Sequence, residues 1–308
     1  MKLFHIVLLF AVCCSAFAGE MQNGRIRFEE SAELKQVGKT VFFPVFIRQK
    51  SGDHLVIEAE DFSVFSPMAN EHRLAFRPEC SNGCAVINAG RLGYDFSIAE
   101  PGEYQVWIRA FFPLKANYNH NEKMDDAPAR NISDSMDPAK GSKTGRRITS
   151  RDCFLEPGFW HWIPNFAYDL AKGKHHWDWG NPAWGGGCIL DKIVLIRKGS
   201  PVKPENAENN NRERFSAKAG VLISRRIKLA RIASWKFEYI ADPGDGHIQT
   251  EFSCDDGPFQ PLKNGERYFV RSDKDEYLRI RIRIKNAPEN RRPPIIYHYA
   301  FFFEKKKP

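Results

Sequence analysis

Residues 101–110 read PGEYQVWIRA, and this short run decides the fold. Pro-Gly is a turn, with Pro fixing φ and Gly free to take the conformation a reversal needs. The residues that follow alternate: Tyr104, Val106 and Ile108 fall on one side, and Gln105, Trp107 and Arg109 on the other. A period of two is the signature of a half-buried strand. The same texture extends outward through TVFFPVFIRQ (40–49), HLVIEAEDFS (54–63), RLGYDFSIAE (91–100), FWHWIPNFAYDLAKGKHHWDWG (159–180) and CILDKIVLIRKG (188–199). Pro-Gly, Lys-Gly and Gly-rich breaks separate these runs, and no long segment has a helical period. The expected class is all-β.

The chain has 308 residues, 42% of them hydrophobic, a globular composition long enough for two domains. Residues 1–18 carry Lys2, the apolar run LFHIVLLFAVCC and an Ala16-Phe17-Ala18 site before Gly19, the pattern of a secretory signal peptide. That predicts a secreted, periplasmic or cell-surface protein. A retained membrane anchor or a lipoprotein built on Cys13 or Cys14 is the alternative, but the apolar run is shorter than the ~20 residues of a membrane span. No other segment is apolar enough to cross, and no nucleic-acid-binding motif stands out.

Residues 19–53 are expected to form an N-terminal segment, 54–199 a first β-sandwich, 200–214 (SPVKPENAENNNRER) a linker and 215–308 a second β-sandwich. The stretch 114–150 is polar and reads as a long inserted loop, with a glycosylation sequon at Asn131. The net charge of +8 is unevenly placed. From Asp53 to Lys198 there are 17 Lys/Arg against 19 Asp/Glu, whereas from Phe215 onward the balance is 19 against 12. In EYLRIRIRIKN, Leu278, Ile280, Ile282 and Ile284 alternate with Arg279, Arg281, Arg283 and Lys285. The cationic face is either solvated or a stripe for an anionic polysaccharide.

Glu58 and Glu60 stand two apart and are expected on one face of a strand. Asp191, ahead of the aliphatic run KIVLI, supplies a third carboxylate if the first and last strands lie side by side. Oxygen-only ligands suit calcium. Exposed acids, or acids paired with Arg or Lys, are the plain alternative. The five cysteines beyond the leader are Cys80, Cys84, Cys153, Cys188 and Cys254. In an oxidising compartment a Cys80–Cys84 bridge across Ser-Asn-Gly and a Cys153–Cys188 bridge are expected, leaving Cys254 over.

The order EAEDF, YDFSIAEPGEYQVWIRA, FAYDLAKGKHH and GGGCILDKIVLIRKG resembles β-sandwich carbohydrate-binding modules of the family 6 and family 35 type, over residues 54–198. The resemblance implies a galactose-binding-like jelly roll that binds polysaccharide without catalysis. It also implies a structural calcium at Glu58, Glu60 and Asp191, and a sugar site in the loop before the last strand. That loop, WDWGNPAWGGG, offers Trp177, Trp179, Asn181 and Trp184. A pyranose needs a flat aromatic platform for its C–H face and a few amide or carboxylate groups for its hydroxyls. Trp179 and Trp184 are expected to be that platform, and Trp177 to be packing. Trp160 and Trp162 should share a strand face and pack.

The catalytic alternative, a small polysaccharide lyase or an accessory subunit of a glycoside hydrolase, lacks a nucleophile motif or a metal-binding His pair, and His175 and His176 read as strand-end residues. A structural surface or assembly protein that keeps the fold without sugar is the other rival. In the second domain, EFSCDDGPFQPL is similar to a hairpin found in accessory sandwich domains of secreted hydrolases. The same hairpin is found in surface or tail proteins, so the likeness supports the fold and not a ligand; the second domain is expected to contact the same polysaccharide or a secreted carbohydrate-active enzyme.

Overall fold

The computed structural model describes residues 21–24, 26–29, 31, 33–67, 73–88, 90–111, 117–135, 158–180, 188–270, 276–288 and 291–306. The expected disulfide partner Cys153 and the loop residues Asn181 and Trp184 lie outside them, as does the side chain of Cys188. Among the described residues every element is a strand or a short 3-10 turn, arranged as four sheets in two sandwiches.

The PGEYQVWIRA run forms the strand Gly102–Phe111, and its burial follows its sequence. Tyr104, Val106 and Ile108 are fully buried, while Gln105, Trp107 and Arg109 are half-buried on the other face. It lies between Trp160–Leu170 and Cys188–Arg197. The far edge of Cys188–Arg197 pairs with both Cys84–Asn88 and the first-sandwich strand His54–Glu58, and Arg73–Phe76 ends the sheet. The first and last strands of the sandwich are thus neighbours, with Lys192 opposite Glu58.

The facing sheet runs Arg130–Ser135, Asn117–Met124, Gly173–Gly180, Gly90–Ile98, Phe46–Gln49, Arg212–Phe215, with Val64–Pro67 also on Gly90–Ile98. One pairing in it, Phe46–Gln49 with Gly90–Ile98, is parallel. The 114–150 stretch is therefore not one long loop: residues 117–135 form a hairpin whose turn holds Asp125 at φ 51°. Composition misleads here because the strand alternates at its end, with Glu122 and Met124 buried and Asn121 exposed.

In the second sandwich, one sheet runs Lys35–Val37, Thr40–Phe42, Ile295–Lys305, Ile232–Asp242, Arg267–Phe269, with Gln22–Gly24 on the free stretch of Ile295–Lys305. The other runs Ala219–Ile223, Tyr277–Lys285, His247–Cys254, Gln260–Pro261. In Tyr277–Lys285 the four aliphatic residues are buried as the alternation requires.

Two expected boundaries differ from what is seen. Segment 19–53 is divided between the sandwiches, and 200–214 is not a free linker, because Arg212–Phe215 pairs with Phe46–Gln49. The cause is a set of strands with an apolar residue on each face. Phe42, Val45, Ile47 and Ile295 enter the first core, while their neighbours Val41, Phe43 and Ile296 enter the second. A buried ion pair fastens the same region: Asp61 takes Arg212 Nη1 on one carboxylate oxygen and Arg214 Nε on the other, both at 2.6 Å.

Candidate carbohydrate-binding surface and acidic corner

The strand Gly173–Gly180 extends farther than the sequence reading assumed, and that decides the tryptophans. Trp177 and Trp179 are two apart in it, so they point the same way, into the core. Their exposures are 2% and 1%. The rings stack on each other at 6.5 Å, and Trp177 stacks on Tyr94 at 5.9 Å. Trp177 packs as expected, but Trp179 is a core residue and not a sugar platform.

The outward face of the same strand carries charge. His176 hydrogen-bonds Asp95 through Nδ1 and lies 3.1 Å from Asp178 through Nε2. Arg91 grips Asp178 with Nε and Nη2 at 2.8 and 2.7 Å. The hydrogen bonds to Asp178 and Asp95 raise the His176 pKa to about 9. Against the cost of partial burial, His176 and Arg91 lower that of Asp178 to about 2. His175 is tied to Asp125 Oδ2 at 2.7 Å and to Ala171 O at 2.8 Å. Both histidines are strand residues held in local networks.

Aromatic rings face outward on the opposite sheet instead. Trp160 and Trp162, two apart on the edge strand, share its outer face and pack as expected: Trp162 lies with Trp107 against Val56, Val194, Ile196 and Ala207, and Trp160 against Cys80, Ala85 and Ile189, while all three rings stay half-buried. Trp162 stands opposite Arg109, and Trp107 follows two residues before Arg109 on the adjoining strand. Trp107, Trp162 and Trp160 thereby form a row on one sheet face, with steps of about 7 Å along a strand. Cations orient two of the rings: the Arg109 guanidinium lies 4.7 Å from the Trp160 centroid, and Lys192 Nζ 5.9 Å from that of Trp162. The W-x-W spacing was visible in the sequence, but not which face it took.

One end of this sheet gathers the three acids. The His54–Glu58 strand ends at Glu58, so Glu60 is in the following turn, where Asp61 N donates to Glu58 O. Glu58, Glu60 and Asp191 are all buried around the Ser81–Gly83 turn. Ser81 Oγ and Asn209 Nδ2 each donate to Glu58 Oε1 at 3.1 Å, and Asn82 Nδ2 donates to Glu60 Oε1 at 3.2 Å. Asp191 is engaged on both oxygens, by Ser81 N–H at 2.7 Å and Arg109 Nη1 at 2.5 Å. Among the described residues no group of three acidic, His or Cys side chains converges as a metal-ligand set. Asp191 is thus an anchor for the turn and for Arg109, correcting its expected place as a ligand.

The two glutamates remain unsettled electrostatically. Glu58 Oε2 and Glu60 Oε2 are buried without a hydrogen-bond partner. Burial and the neighbouring carboxylates raise both pKa values, that of Glu60 well above the usual carboxylate range. Such a pair needs a proton or a cation.

Cys80 and Cys84 are free thiols, contrary to the expected bridge. Their side chains enter different clusters: Cys84 the main core, Cys80 a small group with Ala85 and Ile189. Burial raises both thiol pKa values, so they behave as small apolar groups.

The cationic face of Tyr277–Lys285 is largely neutralised. Glu251 accepts from Arg281 Nε and Arg283 Nε at 2.5 and 2.9 Å, and Arg279 lies 3.3 Å from Glu29 and 3.7 Å from Asp256.

No family model and no curated protein matches the sequence. Solved structures similar to part of the chain include a GH26-CBM35 β-(1,4)-mannanase of Podospora anserina, at 15% identity and TM-score 0.34, covering 49% of this chain and 29% of the enzyme. The C-terminal CBM6 of a Zobellia galactanivorans laminarinase is similar at 16% identity and TM-score 0.30, over 47% of this chain and 100% of its own length. A family 35 carbohydrate binding module from Clostridium thermocellum is similar at 15% identity and TM-score 0.32, over 47% and 99%. The chain thus spans less than a third of the mannanase, whereas the two isolated modules are covered almost whole. These last two are of the families that the sequence resembles.

Proposed function

We propose that the protein is a secreted, non-catalytic polysaccharide-binding protein. The observation that carries this reading is the row of half-buried Trp107, Trp162 and Trp160 on one sheet face, interleaved with Arg109 and Lys192. Aromatic faces take the C–H side of a pyranose, and the cations between them donate to its hydroxyls. The loop with Asn181 and Trp184 is a second contact in this reading, on the family resemblance alone. The Glu58–Glu60 corner holds a structural calcium ion, supported by the two orphaned carboxylate oxygens. Those two oxygens fit a hard cation completed by backbone carbonyls and water, which would keep both glutamates ionised. Whether the protein serves an enzyme partner is part of the same proposal, since binding modules raise the local concentration of an enzyme on its substrate.

The test is a glycan array on the intact protein, followed by affinity electrophoresis of Trp160→Ala/Trp162→Ala for the row and of Trp184→Ala and Asn181→Ala for the loop. Retention by at least one polysaccharide, weakened by these substitutions, is expected. Absence of binding to any glycan would favour the structural surface protein, and release of reducing ends or unsaturated sugars would favour an enzyme.

A further inference from the structure

A cleft of about 980 Å³ opens in the second sandwich where the chain from Gln22–Gly24 to Phe28, the Lys35–Phe42 hairpin and the strand Ile295–Lys305 meet. That size is at the upper end of the roughly 300–1,000 Å³ typical of small-ligand sites. Its floor is aromatic, with Phe28 edge-on to Tyr299 at 5.1 Å, and its walls carry Arg27, Arg225 and Lys39.

The arginines are placed together by backbone pairing. Phe28 bridges Ser224 antiparallel, with Arg225 N donating to Arg27 O at 2.8 Å and Glu29 N donating to Ile223 O at 2.9 Å. Arg27 therefore stands directly opposite Arg225, with side chains on the same face and Cβ atoms about 5 Å apart. Like charges so placed repel unless an anion lies between them. Nearby arginines are satisfied: Arg226 pairs with Asp256, and Arg279 with Glu29, the acid in the cleft wall. Arg27 and Arg225 have no carboxylate partner among the described residues.

Lys39 adds a third charge from the hairpin tip. Its Nζ lies 3.2 Å from His298 Nε2, and burial, then Lys39 itself, lower the His298 pKa. The histidine, its pKa lowered, brings no negative charge to the lysine, and among the described residues no carboxylate pairs with Lys39. Gln36 Nε2, which donates to the Tyr299 hydroxyl at 2.5 Å, brings neutral hydrogen-bonding groups beside these charges.

We infer that this cleft binds the anionic group of an acidic polysaccharide, a uronate carboxylate or a sugar sulfate, between Arg27 and Arg225 with Lys39 as a second contact. Guanidinium forks match both oxyanions bidentately. The inference rests on the carbohydrate-binding reading and assigns the acidic selectivity to the second sandwich, away from the tryptophan row.

The experiment is calorimetric titration of the full chain with an oligogalacturonate, a sulfated galactan oligosaccharide and a neutral galactan oligosaccharide. It is repeated for Arg27→Ala/Arg225→Ala and for the charge-matched control Lys172→Ala/Lys203→Ala, whose lysines are exposed elsewhere. The expected result is at least tenfold tighter binding of one acidic ligand than of the neutral one. That preference is lost in the arginine variant and kept in the control, and the uronate and sulfate arms say which oxyanion is read. Equal losses in both variants would reduce the effect to net charge and overturn the site. Equal binding of neutral and acidic ligands would also overturn it while leaving the general reading intact, whereas no binding by any glycan would overturn both. Displacement by inorganic sulfate as strong as by the sulfated oligosaccharide would show a free-anion site and overturn the sugar assignment.

Discussion

His176 and the Glu58–Glu60 pair respond to pH in ways that can be worked out from their surroundings. The His176 pKa is raised to about 9, so the folded state binds its proton more tightly than the unfolded chain does. Its contribution is fully present below the unfolded value near 6.5 and is lost as pH rises to about 9. The network is partly exposed, which holds the effect to about 1 kcal/mol. The thermal midpoint should fall across that window, and His176→Gln should remove most of the fall; an unchanged slope would refute the assignment. The glutamates also have raised pKa values. Without a cation, their stabilising state is the protonated one, present below about 4.5 and lost as pH rises. In chelator the midpoint should therefore decline toward neutral pH, and calcium should abolish that decline by holding the ionised pair. Identical pH curves with and without calcium would reject the cation.

At the scale of elements, the division between packing and exposed tryptophans is a matter of strand register. Trp179 is in the core, so Trp179→Ala should cost about 3–5 kcal/mol of stability. Trp160→Ala, on the outer face, should cost far less, and chemical denaturation of the two variants checks the contrast. The Asp61–Arg212–Arg214 cluster belongs to the same scale. Replacing Asp61 with Ala removes the close carboxylate partner of two nearly buried guanidinium groups and leaves Arg212 only its longer pair with Glu58 at 3.9 Å, with an expected loss of about 3–5 kcal/mol. Hydrogen exchange in Arg212–Phe215 and Phe46–Gln49 should accelerate more than elsewhere; uniform acceleration would contradict the clamp. Much of this was legible in the sequence. PGEYQVWIRA and YLRIRIRIK alternate in the chain as they do in burial. HHWDWG also alternates, but the glycines and proline after it invited a loop beginning at Trp177, and the strand runs on to Gly180. Spacing in Cys80-Ser-Asn-Gly-Cys84 says that a bridge can close, not that the two thiols enter different clusters. The orphaned oxygens of Glu58 and Glu60 depend on burial by distant segments, among them Ser81–Gly83 and Asn209, which no local pattern encodes.

Over the whole molecule, the two sandwiches are joined by strands that feed both. Phe42 and Ile295 enter one core while Val41, Phe43 and Ile296 enter the other, and Tyr297 OH accepts from Leu74 N at 2.9 Å across the junction. Apolar patterning of FFPV marked a strand in the sequence, but a strand with two buried faces reads the same whether it faces one core or two. Calorimetric unfolding should give one cooperative transition, and Phe42→Ala should lower it as a unit; two separate transitions would show independent domains. The tryptophan row lies on the first sandwich and the basic cleft on the second, so they are separate surfaces. The central claim is that the row binds sugar. Its most direct test is titration of the polysaccharide selected by the array into the intact protein and the Trp160→Ala/Trp162→Ala variant, with midpoints compared in parallel. The account predicts at least a tenfold loss of affinity with a midpoint shifted by only a few degrees. Unchanged affinity in a folded variant would contradict it.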